Sequence, residues 1–411
     1  MKFFFPDSQD QVDPSFDFVS EERSSARLRH RDDEYAHEVF QQPPFDGILV
    51  SKAVLDSGRY SLAQKHRMLR SGVRSFFRIT NPVLETMGDC GAFAYVREDE
   101  PPFSVSEVVE FYQTMGFDYG MSVDHIILGY DSSEQNVPDD WRSRQALTLR
   151  LAEDFLIRHS AVGAKFTPIG VAQGWSPASY VASVVKLQEL GYRYLALGGM
   201  VGLKTSDILA CLREIKSVLK PGVALHLLGI TRIESVLEFG DYGVTSIDST
   251  SPLRQAFKDM KDNYYAPGRT YTAIRVPQVE ANPQLVRLIK SGKVDQSEAR
   301  QMERRCMKIL GEFDKRLASV TDTVEALVEY ERLYEDRRTF GEIYRETLED
   351  RPWDNCPCEI CRALGIHVML FRGAERNRRR GFHNLFVFYN KLQGKKAARK
   401  KRAGMATTEA R

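Results

Sequence analysis

A chain of 411 residues with 42% hydrophobic content can bury a large core, so a globular protein is expected, with one large α/β domain and appendages or two ordinary domains. No apolar run approaches the ~18–20 residues of a membrane span, and Met1–Pro6 lacks the basic start and long apolar stretch of a signal peptide. A cytoplasmic protein with no membrane partner is the expectation. The formal charge of +2 is unevenly spread, because Arg372–Arg411 carries 13 Lys/Arg against two Glu and leaves an acidic remainder. A basic end on an acidic body suggests a polyanionic partner.

The opening F-F-F reads as a strand, followed by a polar loop or irregular helix as far as Pro44. From Asp46 a repeating unit begins: D-G-I-L-V-S is a strand, Leu62–Arg70 a helix, and R-S-F-F-R-I-T a second strand. In G-D-C-G-A-F, glycines on either side of Asp89 and Cys90 permit tight turns. Ser104 and Ser106 precede an amphipathic helix closed at Gly116, and the strand Tyr119–Val123 delivers Asp124. A long helix, Trp141–Ser160, leads to K-F-T-P-I-G-V-A, with Gln173 and Gly174 just past that strand.

Ser176–Leu190 is again helical, Gly191 stops it, and the strand Tyr194–Leu197 ends in Gly198-Gly199. The helix Thr205–Leu219 precedes two short apolar runs, Ala224–Ile230 and Val244–Ile247, which flank the helical Ile233–Phe239. Asp248 therefore falls at the carboxyl end of a buried strand, the edge of a parallel α/β fold where chemistry is done. It can equally cap the turn or helix that follows.

Seven or so strand–helix pairs carry polar or glycine residues after their strands, at Asp89, Asp124, Gln173, Gly198-Gly199 and Asp248. No G-x-G-x-x-G follows the first strand, and the polar groups come from many strands rather than one crevice. An α/β fold of the (β/α)8 TIM-barrel type is predicted over residues 1–275. Charged helices such as Ser297–Ala318 and Thr323–Tyr334 form a helical segment over 276–350, a zinc-binding subdomain covers 351–392, and a basic tail covers 393–411. Lys395–Arg402 within that tail reads as a phosphate-binding run or as a solvated appendage.

Cys356, Cys358 and Cys361 crowd into six residues, too close together for a disulfide framework. Three thiolates and one imidazole make a closed tetrahedral Zn²⁺ site with no open position, hence a structural one. His383 is the favoured fourth ligand, because Ala363–Gly373 and Phe382–Tyr389 read as two helices that a metal could join. His367 competes, but lies only six residues past the third cysteine. Asp89 and Asp248, if they face one pocket, could divide the work of nucleophile and general acid/base, as paired carboxylates do in retaining glycosidases.

D-C-G-A-F (Asp89–Phe93), M-S-V-D-H (Met121–His125), V-A-Q-G (Val171–Gly174), L-G-G-M-V-G (Leu197–Gly202), H-L-L-G-I (His226–Ile230), I-D-S-T-S-P-L-R (Ile247–Arg254) and the C-x-C-x-x-C…H cluster occur in one order. Together they resemble the tRNA-guanine transglycosylase superfamily. The resemblance implies a zinc-bearing barrel that exchanges guanine in a polynucleotide for a 7-deazaguanine base. It implies Asp248 as nucleophile, Asp89 as general acid/base, Asp124, Gln173 and the Gly198-Gly199 backbone as readers of the base, Phe93 as the aromatic that covers it, and Arg254 as a nucleic-acid contact.

Where the tRNA enzymes usually show D-x-F-D-C-V-x-P-T-R, this chain differs at Thr245, Ser249 and Leu253, and it has Ala94 in place of a glutamine. These departures bear on the polynucleotide rather than on the reaction, and the opening K-F-F-F-P-D-S, the D-G-I-L-V-S strand and the basic tail resemble the branch that places 7-cyano-7-deazaguanine (preQ0) into DNA. The expected partners are thus DNA, a 7-deazaguanine base and accessory proteins of a DNA-modification system. The rival readings are a tRNA-guanine transglycosylase and a catalytically inactive, zinc-containing nucleic-acid-binding protein.

Overall fold

A computed structural model describes residues 1–335 and 338–409, with side chains described as far as Lys395. The chain divides into two compact units, one of Met1–Gln9, Phe45–Thr250 and Leu392–Arg411, the other of Asp10–Pro44 and Ser251–Lys391.

In the first unit the strands β1 (Lys2–Pro6), β2 (Gly47–Ser51), β3 (Glu85–Asp89), β4 (Tyr119–Met121), β5 (Thr167–Ala172), β6 (Tyr194–Leu197), β7 (Ala224–Leu227) and β8 (Val244–Asp248) close into a parallel barrel. The N-terminal strand closes it: Phe4 stands opposite Asp248 of β8 on one side and Gly47 of β2 on the other. Side chains alternate along a strand, so every second residue points inward. Phe4, Leu49, Met87, Met121, Ile169, Val171 and Ala196, from six of the strands, meet as one buried cluster. Each of these side chains, the small Ala196 apart, stabilises the fold by about 1.5–3 kcal/mol, and together they make the barrel a packed core.

The connecting helices begin and end where local chemistry dictates. The Ser61 hydroxyl and the Gln64 side chain cap the start of α1 (Leu62–Phe76) reciprocally, and Ser104 with Glu107 does the same for α2 (Val105–Met115). Gly116 ends α2 in the left-handed conformation that a side chain would resist. Tyr112 of α2 lies flat against β3 and β4, where a Cβ added at Gly88 or Gly120 would come within 2.3 or 2.5 Å of its ring. Those two strands carry glycine because the helix packs that close. The remaining barrel helices are α3 (Asp139–Ala161), α4 (Pro177–Leu190), α5 (Thr205–Val218) and α6 (Val236–Asp241).

The strand expected at R-S-F-F-R-I-T is absent. α1 runs through Phe76, and Phe76 and Phe77 are buried at its end. The strand lies further on, at E-T-M-G-D, whose polar and glycine content hides it.

The second unit holds α7 (Ser251–Lys258), α8 (Gln296–Asp314), α9 (Val320–Glu331), α10 (Gly341–Asp350) and α11 (Glu359–Leu364). The helix expected at Ala363–Gly373 is instead the end of α11, a 3-10 turn (Gly365–Met369) and a short strand (Leu370–Phe371) paired with Ile274–Arg275. A last helix, α12, runs from Gly373 to Glu409.

The basic C-terminus is less available to a polyanion than its charge count suggests. Arg372 pairs with Glu21 and Glu303, Arg376 with Glu21, and Arg379 with Glu375. Arg380 is fully buried and donates to the carbonyls of Ala256, Val368 and Leu370. These arginines satisfy internal acceptors in a buried network. Among the described residues, no helix is long and apolar enough to cross a membrane.

Candidate active site

The carboxyl edge of the barrel gathers the polar residues singled out in the sequence. Asp89 ends β3 and Asp248 ends β8. Asp124 follows β4, Gln173 follows β5, and Gly198-Gly199 follow β6. Phe93 sits on a 3-10 turn (Ala92–Tyr95) immediately past Asp89, and its ring is exposed.

Asp124 and Gln173 are buried and joined. The Ile127 N–H donates to Gln173 Oε1 at 3.2 Å, which fixes the amide orientation and turns Nε2 toward Asp124 Oδ2, 2.7 Å away. The Cys90 thiol donates to the other oxygen, Asp124 Oδ1, at 3.1 Å. Tyr95 closes the group, donating to the Asp124 carbonyl at 3.0 Å and lying 3.2 Å from Cys90 Sγ. Burial raises the Asp124 carboxyl above its usual range, against the Cys90 and Gln173 hydrogen bonds, which favour the anion.

Gly198 and Gly199 are held tightly beside this pair. A Cβ on Gly198 would fall 2.2 Å from Gln173 Nε2, and one on Gly199, whose φ is +75°, would fall 2.4 Å from the Ile127 carbonyl. Only backbone fits between Gln173 and the next loop. Tyr180 of α4 fixes that backbone by donating to the Gly198 carbonyl at 2.6 Å.

Asp89 is half-buried, and its carboxyl is pushed up to about 7. Burial is the main cause, the Asp124 and Asp248 charges add to it, and the Gly91 and Cys90 backbone N–H groups oppose it. Three carboxyls thus share one electrostatic site, and Asp89 holds its proton near neutral pH. Asp248 is nearly buried, and its Oδ1 accepts from the Gly229 N–H at 2.9 Å and from His226 Nε2 at 3.0 Å. Those bonds anchor the carboxylate at the end of its strand.

His226 was not singled out as a site residue in the sequence. The available signal is a histidine within the apolar run of β7, fully buried and in register with Ser246 of β8. Cys90 and Tyr95, as partners of Asp124, were missed for the same reason: the contacts cross from one strand end to the next. Arg254 lies half-buried on α7.

In the second unit Cys356, Cys358, Cys361 and His383 come together, their ligand atoms all within 4.8 Å of one another, and could hold a metal ion. The three sulfurs stand 3.5, 3.5 and 3.3 Å from His383 Nδ1. His383 Nε2 is 2.8 Å from the Tyr265 carbonyl and donates to it, so Nδ1 is the nitrogen left to bind a metal. Tyr264 stacks on the imidazole with ring centroids 4.0 Å apart, and its hydroxyl lies 3.2 Å from Cys361 Sγ. His367, the competing ligand, is elsewhere: it packs on Phe18 and lies 3.5 Å from Arg376.

Residues 56–261 match the family model described as queuine tRNA-ribosyltransferase, a segment that contains every barrel residue named above except those of the first two strands. The chain is also 53% identical over 406 residues to a DNA-guanine transglycosylase of Salmonella montevideo, covering 96% of this chain and 97% of that protein. With the closed barrel and the carboxylates ranged along its rim, these similarities make the chain a member of the queuine tRNA-ribosyltransferase family.

Proposed function

We propose that this protein is a DNA-guanine transglycosylase that replaces guanine in cytoplasmic DNA by a 7-deazaguanine base, preQ0, through a glycosyl ester on Asp248. The observation that carries the chemistry is the Asp89 carboxyl, pushed up to about 7 beside Asp124 and Asp248. A carboxyl that holds its proton near neutrality is suited to protonate a departing base and then to take a proton from the incoming one. The preference for DNA is supported by the relative named above and by the departures around Asp248.

Asp248 attacks C1′ as the C1′–N9 bond of guanine breaks, and Asp89 supplies the proton that leaves with the base. The 7-deazaguanine then enters, gives its N9 proton to Asp89 and displaces Asp248, with net retention at C1′. Asp124 accepts from the N–H groups of the guanine amide edge, Gln173 and the Gly198-Gly199 backbone complete that edge, and Phe93 covers the base. The base must leave the duplex stack to reach them, and accessory proteins that open the duplex are natural partners.

The metal proposed for the second unit is a structural Zn²⁺ ion. A tetrahedral zinc with about 2.3 Å bonds to sulfur and about 2.0–2.1 Å to nitrogen separates S and N by about 3.6 Å, near the spacing found around His383. Four protein ligands leave it no open position, so its contribution is to folding.

The test supplies labelled guanine or preQ0 with duplex DNA, single-stranded DNA and tRNA, using the wild-type protein and Asp248→Asn. Exchange into DNA and a denaturation-resistant protein–DNA adduct are expected from the wild type, and neither from the variant. Exchange confined to tRNA overturns the choice of substrate. Near-normal exchange by Asp248→Asn overturns the nucleophile.

A further inference from the structure

A line of polar side chains runs through the otherwise apolar barrel and ends on Asp248. Tyr194 of β6 is hydrogen-bonded to Ser246 of β8, Ser246 Oγ lies 2.7 Å from His226 Nδ1, and His226 Nε2 lies 3.0 Å from Asp248 Oδ1. Burial pushes the Tyr194 phenol up to about 12, so it remains a donor. Polar groups buried this deeply cost stability unless each is satisfied. This chain satisfies all of them in one direction. Tyr194 donates to Ser246, Ser246 donates to Nδ1, and Nε2–H donates to the carboxylate, which can only accept. The register places His226 directly beside Ser246, and an irregularity in β8 between Val244 and Ser246 interrupts the regular alternation there.

The two donors to Asp248, the His226 Nε2–H and the Gly229 N–H, converge on the same oxygen, Oδ1. Neither engages Oδ2. We propose that His226 is a positioning residue that makes the two oxygens of Asp248 unequal, assigning attack to Oδ2 and keeping Oδ1 as the carbonyl oxygen of the glycosyl ester. The inference rests on the reading of Asp248 as the nucleophile. In the first half-reaction the Oδ2–C1′ bond forms as C1′–N9 breaks, and the departing guanine takes a proton from Asp89. In the second, N9 of the incoming base bonds to C1′ after giving its proton to Asp89. The Oδ2–C1′ electron pair then returns to Asp248.

Donors on Oδ1 act differently on the two halves. They lower the basicity of the free carboxylate, which slows attack slightly, and they stabilise the negative charge that develops as the carboxylate leaves. Their removal therefore harms ester breakdown more than ester formation. The anchored geometry also keeps Oδ2 aimed, a contribution shared by both halves.

The experiment follows guanine release and the denaturation-resistant adduct on labelled DNA in rapid-quench time courses, for wild type, His226→Phe, His226→Gln and Ser246→Ala. His226→Phe should slow breakdown by preQ0 about 10–100-fold, the effect of one hydrogen bond to a charged group. Guanine release should fall less, so the adduct accumulates at steady state. His226→Gln offers an amide N–H near the Nε2 position and should recover much of the breakdown rate. Ser246→Ala keeps His226 but frees Nδ1, and should show a smaller effect of the same kind; it carries the comparison with His226→Gln if the Phe variant does not fold. Equal slowing of both halves with no rescue by Gln makes His226 a packing residue and overturns the proposal. So does unaltered formation and breakdown of an adduct that depends on Asp248. If the wild-type adduct persists in Asp248→Asn, the nucleophile reading has failed, and this inference falls with it.

Discussion

The Cys90 thiol lies 3.1 Å from Asp124 Oδ1, on the opposite side of the carboxylate from the Gln173 amide at Oδ2. Burial and the Asp124 and Asp89 charges hold the thiol well above its usual range, so it stays protonated and donates. Asp124 is therefore gripped at both oxygens before a base arrives. Cys90→Ala removes one grip and leaves a buried carboxylate oxygen short of a donor. The expected result is a KM for the incoming base raised about 5–10-fold with a smaller change in kcat, and recovery with Cys90→Ser. A KM that stays within twofold in Cys90→Ala shows that Gln173 alone orients Asp124.

Asp89 supplies a pH dependence whose sign follows from its raised carboxyl. The folded protein holds this proton up to about pH 7, whereas the unfolded chain releases it near 3.8. Stability from this group is fully present below the lower value and is lost as pH rises through the upper one, by at most about 4 kcal/mol. Asp89→Asn abolishes the titration. The variant should exceed wild type in melting temperature above pH 7, lose that advantage near pH 4, and exchange bases ~10²–10⁴-fold more slowly. Wild-type kcat/KM for guanine exchange should fall as pH rises through about 7, since the protonated acid begins the reaction. A flat profile between pH 6 and 8, or a variant less stable than wild type at pH 8, contradicts the role.

The metal cluster gives a prediction with an internal control. Cys358 is fully buried, and its Sγ accepts from the Cys361 N–H at 3.3 Å, so Cys358→Ser should reduce both bound zinc and the stability of the second unit. His383→Ala should do the same. His367→Ala should leave the zinc content at one per chain, because that ring packs on Phe18 away from the thiols. Metal analysis by mass spectrometry reads all three. A full zinc complement in His383→Ala would show that the imidazole is not a ligand.

The barrel was legible because most of its strands are apolar and end in Asp, Gln or Gly at a regular spacing, and Ser104, Gly116 and Gly191 start or stop helices where expected, whereas Ser106 lies within α2 rather than capping it. The second strand expected after β2 was misplaced for a physical reason: Phe76 and Phe77 are apolar because they bury a helix end, while β3 carries Glu85, Thr86 and Gly88. Gly88 is demanded by Tyr112, which is 24 residues away in sequence, so no local pattern announces it. The same holds for His226 and Cys90, whose partners lie on neighbouring strands. The buried arginines of the second unit were invisible for another reason, since their acidic and carbonyl partners include Glu21 and Ala256, hundreds or scores of residues upstream.

That network also sharpens what the basic end can do on DNA. With Arg372, Arg376, Arg379 and Arg380 held internally, the charge available to phosphates concentrates in Lys395–Arg402, which contains six Lys/Arg. Lys395 itself pairs with Glu234 and the Ile233 carbonyl, and the side chains beyond it lie outside the described residues. If all six engaged a duplex, truncation after Gly394 would flatten the slope of log K against log salt by roughly five units. With Lys395 occupied by Glu234 the expected change is roughly four to five. Base choice should not alter, because phosphate contacts position a protein without reading sequence, and Asp124 and Gln173 remain in place. Binding should weaken and exchange slow at moderate salt, with recovery as salt falls. A double substitution, truncation with Glu234→Gln, should behave as the truncation alone, since the lysine that Glu234 holds is already gone. An unchanged salt slope in the truncated protein makes the tail a solvated appendage and leaves DNA binding to the barrel rim.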